Sequence, residues 1–173
     1  MRIFLIILTC LLTGITAMSQ ELFPDRITGE WNGMLHLWKN GELQDSVVVQ
    51  LTVRPLGGDT WQWKMHYKSA MRPMVKDYRI KLLNRAANTY ITDEGNGIEL
   101  EDYAFGDRMM SMFETHETWL TSTQELSGDH LIFQVTAGKK SRTLEEGVTN
   151  FSITSLQRAV LTKKPNSTPI KKP

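Results

Sequence analysis

The sequence predicts an all-β protein, an antiparallel up-and-down meander of about 8–10 strands. Three observations carry that expectation. Apolar residues recur with a period of two from Thr28 onward, turn residues interrupt the pattern at short intervals, and no stretch sustains a helical period.

The elements follow in order. A first strand is expected at about 29–38. Lys39-Asn40-Gly41-Glu42 then supplies a hairpin turn, because Asn-Gly tolerates the positive φ that a tight turn needs. The second strand, about 43–54, sets Val47, Val49, Leu51 and Val53 against Gln50, Thr52 and Arg54. Leu56-Gly57-Gly58-Asp59 turns the chain again. The third strand, about 60–68, has the clearest alternation: Trp61, Trp63, Met65 and Tyr67 on one face, and Gln62, Lys64, His66 and Lys68 on the other. Tyr78, Ile80 and Leu82 mark a fourth strand and residues 88–92 a fifth. Asp93 to Gly97 reads as a turn before strands at 98–105 and 108–117. Further strands are expected at 119–126, 131–137 and 149–162. Short helices are conceivable only at 69–75 and 141–147.

The N-terminus lies outside this pattern. Arg2 precedes an apolar run from Ile3 to Leu12 that only Thr9 and Cys10 interrupt, and Ala17-Met18-Ser19 follows as a small-x-small cleavage site. This is the plan of a secretory signal peptide, and its apolar run of about ten residues is too short for a permanent span. Cleavage is expected after Ser19, with Ala17 as the alternative. The expected organisation is a signal peptide at 1–19, one domain at 20–162 and a disordered basic tail at 163–173. The protein would then be periplasmic or secreted, with no stable membrane span after cleavage.

Composition narrows the function classes. Cys10 is the only cysteine and leaves with the signal, which removes disulfides, thiolate metal sites and cysteine catalysis. A mature chain of about 150 residues can bury an adequate core without disulfides. Arg2 is one of 20 basic residues, so its loss balances the 19 acidic ones. No clustered basic surface suggests nucleic acid, and the lysines of the tail read as a solvated segment.

Thr28-Gly29-Glu30-Trp31-Asn32-Gly33 opens the first strand. A Gly-x-Trp there, at the head of a meander of this size, resembles the lipocalin and fatty-acid-binding barrels, and Trp-x-Gly is similar to small bacterial lipocalin-like and nitrobindin-like domains. The resemblance implies a closed lipocalin-like barrel over residues 27–162. It also implies structural roles for Gly29, Trp31 and Gly33, with Trp31 plugging one barrel end beneath a basic residue of the last strand. Arg158 is the matching candidate for that cation–π contact. The chain departs from the family pattern in having no disulfide pair, no second lipocalin motif and no His that matches the haem ligand of nitrobindin-like barrels. No cofactor is inferred.

Three constellations are candidates for function. Trp61, Trp63, Met65, Tyr67 and Phe113 would form the wall of an internal site for a small hydrophobic or amphipathic molecule, with Glu114 or His116 orienting its polar end. The same side chains could instead fill the core. Met71, Met74, Met109, Met110 and Met112, with His116, offer soft donors, but they divide between two strand faces and read as ordinary apolar filler. Glu114 and His116 could form an acid–base pair, yet no nucleophile elbow or phosphate loop accompanies them. No metal site and no catalytic residue is assigned. Glu99, Glu101 and Asp102 read as edge charges, and Asn166-Ser167-Thr168 as a chance sequon in the tail. A second class of function is a packed barrel that meets an envelope protein partner through exposed aromatics such as Trp38 or Trp119.

Overall fold

A computed structural model of the chain describes residues 21–141 and 146–165. The expected signal peptide at 1–19, the Asn166 sequon and part of the 141–147 connection lie outside the described residues. Ten antiparallel strands form a closed barrel in simple meander order: β1 (Gly29–Lys39), β2 (Glu42–Pro55), β3 (Thr60–Tyr67), β4 (Met74–Asn84), β5 (Thr89–Asp93), β6 (Glu99–Phe105), β7 (Arg108–Thr115), β8 (Thr118–Ser127), β9 (His130–Lys140) and β10 (Phe151–Lys163). Pairing of β1 with β10 closes the ring from Trp31↔Lys163 to Lys39↔Ser155. Closure removes free strand edges.

The inward face follows the alternation. Val47, Val49, Leu51 and Val53 are buried on β2, and Trp61, Trp63 and Met65 on β3, while Gln62 and Lys64 between them face out. The hairpin at Asn40-Gly41 has φ of 52° and 84°, the pair of positive angles that this turn requires. No helix occupies 69–73, because Met74 and Val75 already pair with Tyr67 and His66 across β3 and β4. The sequence missed one helix, α1 (Phe23–Arg26), which carries Pro24 in its first turn.

Helix α1 seals one end of the barrel. Leu22, Phe23 and Ile27 are buried in the core. The Trp31 indole donates to the Ile27 carbonyl at 2.8 Å, and the Trp61 indole donates to Asp25 Oδ1 at 2.7 Å. Arg26 donates to Asp107 at 2.6 Å and to the Gly106 carbonyl at 2.8 Å, tying the helix to the β6–β7 turn.

The Gly-x-Trp-x-Gly segment has a steric basis. Gly29 has φ of 138°, and a Cβ there would lie 2.7 Å from Lys163 Cε. A Cβ on Gly33 would lie 2.3 Å from the Val160 carbonyl oxygen, so only glycine lets β10 approach β1 this closely. Lys163 is the basic residue over Trp31, its Nζ 5.3 Å from the ring centroid. Arg158 is not. It pairs with His36 halfway along β1 and lies on the outward parity of β10, between the inward Gln157 and Ala159. Lys163, expected at the start of the tail, is the last residue of β10.

Candidate functional site

The other end of the barrel is not filled. Above the sealed floor lies a chamber of about 270 Å³, just below the usual range of ligand-site volumes. One wall is aromatic: Trp63 stacks on Tyr78 at 5.5 Å with 14° between planes and meets Phe133 at 5.7 Å. Ile80, Leu100, Phe113, Leu120 and Val135 extend the apolar lining. Gln157 also borders a second hollow of about 410 Å³ nearer the mouth, lined by Leu35, Leu37, Val47, Tyr67 and Met74 with Arg72 and Asp45.

A polar strip faces this aromatic wall. Thr92, Asp102, Ser111, Ser122 and Gln124 all line the chamber. Asp102, Ser111 and Gln124 are buried, Asp102 with 5% exposure. Gln124 Oε1 accepts from the Trp63 indole at 2.9 Å, and Asp102 Oδ2 accepts from the Thr92 hydroxyl at 2.6 Å. Burial pushes the Asp102 carboxyl up from its ordinary range, opposed by the hydroxyls of Thr92 and Ser111. The β6–β7 ladder stops at Tyr103↔Met110, so the next inward pair, Asp102 and Ser111, meets through side chains. Near the mouth, burial and then the neighbouring Tyr78 raise the Tyr67 hydroxyl to about 12, so it stays a neutral donor. Burial, then Glu94, raises Tyr78 as well.

These positions divide the sequence-predicted residues. Trp63 and Phe113 line the chamber, and Tyr67 lines the outer hollow. Trp61 and Met65 face inward but lie buried in the packed layer, Trp61 against α1 and edge-on to Tyr90 at 6.4 Å. Glu114 and His116 join neither. Glu114 follows Phe113 and therefore points outward, and His116 sits in the β7–β8 turn with φ of 46° and its ring on the Thr115 hydroxyl. The methionines divide: Met71 and Met74 border the outer hollow, Met109 is buried in the core, and Met112 is exposed on the outer wall. The acidic residues correct another expectation, since Asp102 is an interior residue and Glu94 lines the chamber.

Fold and site together define a barrel of lipocalin-like fold, closed at one end and hollow at the other. The sequence matches no protein-family model and no curated protein. Solved structures do match. An S-type phycobiliprotein lyase, CPES, from Guillardia theta superposes with a TM-score of 0.61 at 6% identity, covering 85% of this chain and 95% of that one. Rv2717c from M. tuberculosis gives a TM-score of 0.53 at 11% identity, covering 80% and 92%. At these identities the likeness is one of fold. A siderocalin, Ex-FABP, is more distant, with a TM-score of 0.34 at 12% identity over 82% and 76% of the two chains.

Proposed function

We propose that this chain is an exported binding protein that holds a small amphipathic molecule inside the barrel. The observation that carries the reading is the chamber, whose Trp63–Tyr78 stack faces a buried polar strip. A flat apolar body would lie on the aromatic wall while its polar end met Gln124, Ser122 or Asp102. Apolar burial contributes about 25 cal/mol per Å², which supports micromolar affinity for a modest ligand after ordering costs. Export rests on the apolar run and the Ala17-Met18-Ser19 site. The mass of protein recovered from an exporting host checks it, with Gln20 expected as the first residue.

The binding test is a fluorescence titration with 1-aminoanthracene, uncharged at neutral pH and small enough for the chamber. Saturable one-to-one binding with a Kd of about 1–100 μM is expected, the range that partial burial of such a ring system supports. Ser122→Phe places a ring in the chamber and should abolish binding while the barrel still unfolds cooperatively. Failure of the natural chain to bind, or equal binding by the Phe variant, would sink the reading.

One observation favours a second role for the outer wall. Trp119 meets Phe151 edge-on at 5.1 Å beside exposed Met112 and Ile153, and Ile153 also borders the groove that holds Trp38. Such a belt suits contact with an envelope protein. Co-purification lost on Trp119→Ser, with 1-aminoanthracene binding intact, would distinguish it from the interior site.

A further inference from the structure

We propose that the chamber selects an organic ammonium ion, a protonated amine on a flat apolar body, and that Asp102 is the residue that recognises its charge. This rests on the reading of the barrel interior as a binding site and names the ligand class that interior would take.

Three observations converge on a cation. The first is charge. The charged side chains lining the chamber are Lys76, Glu94 and Asp102. Lys76 and Glu94 cancel and both attend Tyr78: the Lys76 ammonium lies 5.7 Å from its ring centroid, and Glu94 accepts its hydroxyl. Asp102 is left over. Among the described residues no Lys, Arg or His lies within ion-pairing distance of it.

The second is capacity. An ionised carboxylate offers about four acceptor sites. Thr92 and Ser111 supply two donors. Tyr90 on β5 lies directly opposite Asp102, and Met109 and Ser111 are the inward neighbours on β7. None of these is a cation. A buried carboxylate answered only by neutral hydroxyls favours a counter-charge brought by a ligand. The neutral form of the empty site, favoured by burial, would give way to the ionised form as the ammonium bound.

The third is the opposite wall. The Trp63 and Tyr78 rings both line this space, and a cation on a flat body is drawn to aromatic rings. An anionic ligand would meet the Asp102 carboxylate without compensation. A neutral ligand would gain no charge-assisted hydrogen bond from Asp102.

The test compares 2-(1-naphthyl)ethylamine with 2-(1-naphthyl)ethanol, which share body and length and differ in charge. Each displaces 1-aminoanthracene from the full mature chain, in a series from pH 5 to pH 8, where the probe stays uncharged. A charge-assisted hydrogen bond predicts that the amine binds about tenfold to a hundredfold tighter near neutrality. That preference should shrink as pH falls through the raised Asp102 range, since a protonated carboxyl no longer answers a cation. Alcohol binding should stay level. Asp102→Asn keeps an oxygen for Thr92, and in this variant the preference for the amine and its pH dependence should both be gone. Equal affinity for the two compounds, or a preference that survives in Asp102→Asn, overturns the ammonium assignment and leaves the binding barrel standing. If neither compound nor 1-aminoanthracene binds, the interior-site reading fails and the assignment fails with it.

Discussion

At the sealed end of the barrel, Trp31 and Trp61 each give their indole N–H to α1, and Phe23 and Ile27 fill the space between them. At the hollow end, the Trp63 indole reaches across the chamber to Gln124, and the strands around it carry Asp102, Thr92, Ser111 and Ser122 inward. One set of strands builds both ends. The lower layer is packed with apolar residues, and the α1 segment accepts its two indole N–H groups. The upper layer has polar residues at inward positions, so its interior stays open to a partner that can hydrogen-bond. Stability therefore concentrates at one end, and the proposed binding site lies at the other.

The largest expected effect comes from Trp31, which is 1% exposed and joins α1, β1 and β10. Trp31→Ala should cost about 3–5 kcal/mol, as large aromatic truncations in cores do. Chemical denaturation would measure it as a fall in midpoint. A loss below about 1 kcal/mol would show that the floor does not hold the barrel together.

The next effect sharpens the comparison within one strand. Trp61 and Trp63 are two residues apart, both buried, and both donate an indole hydrogen bond. Trp61→Phe removes the tie to Asp25 and should cost about 1–2 kcal/mol of stability with ligand affinity unchanged. Trp63→Phe frees Gln124 into the chamber and removes half of the stack with Tyr78. It should weaken 1-aminoanthracene binding about tenfold, with a smaller stability change. Equal profiles for the two variants would break the division between floor and chamber.

The strand plan was legible because alternation is a local property. Val47 to Val53 and Trp61 to Tyr67 display their buried face in the sequence itself. The same local parity separates Phe113 from Glu114, so grouping them in one site ran against the alternation. Asp102 was legible in principle, since it shares parity with Leu100 and Ala104. Its neighbours Glu99 and Glu101 disguised it as one member of a charge cluster. The helix at Phe23–Arg26 is a single turn and leaves no periodicity to find. Pro24 with flanking Phe23 and Ile27 was its only trace. The residue over Trp31 depended on register between β1 and β10, which joins the two ends of the meander and leaves no local mark.

That register yields the smallest effect and the finest contrast. Lys163 lies over Trp31 from the inward parity of β10, and Arg158 points out beside His36. Lys163→Met keeps an apolar chain of similar reach and removes the charge. It should cost about 0.5–1 kcal/mol, the value of a cation–π contact near the surface. Arg158→Met should stay within about 0.5 kcal/mol of the natural chain, as outward substitutions without partners do. Raising salt tests the origin of the difference, because a contact with the face of a partly shielded ring responds less than an exposed ion pair. Exposed Lys164–Glu30, at 3.0 Å and one position further on, is the ion pair for comparison. If Arg158→Met proves the costlier change, the closure register of the barrel differs from Trp31↔Lys163, and the floor built on that pair would have to be redrawn.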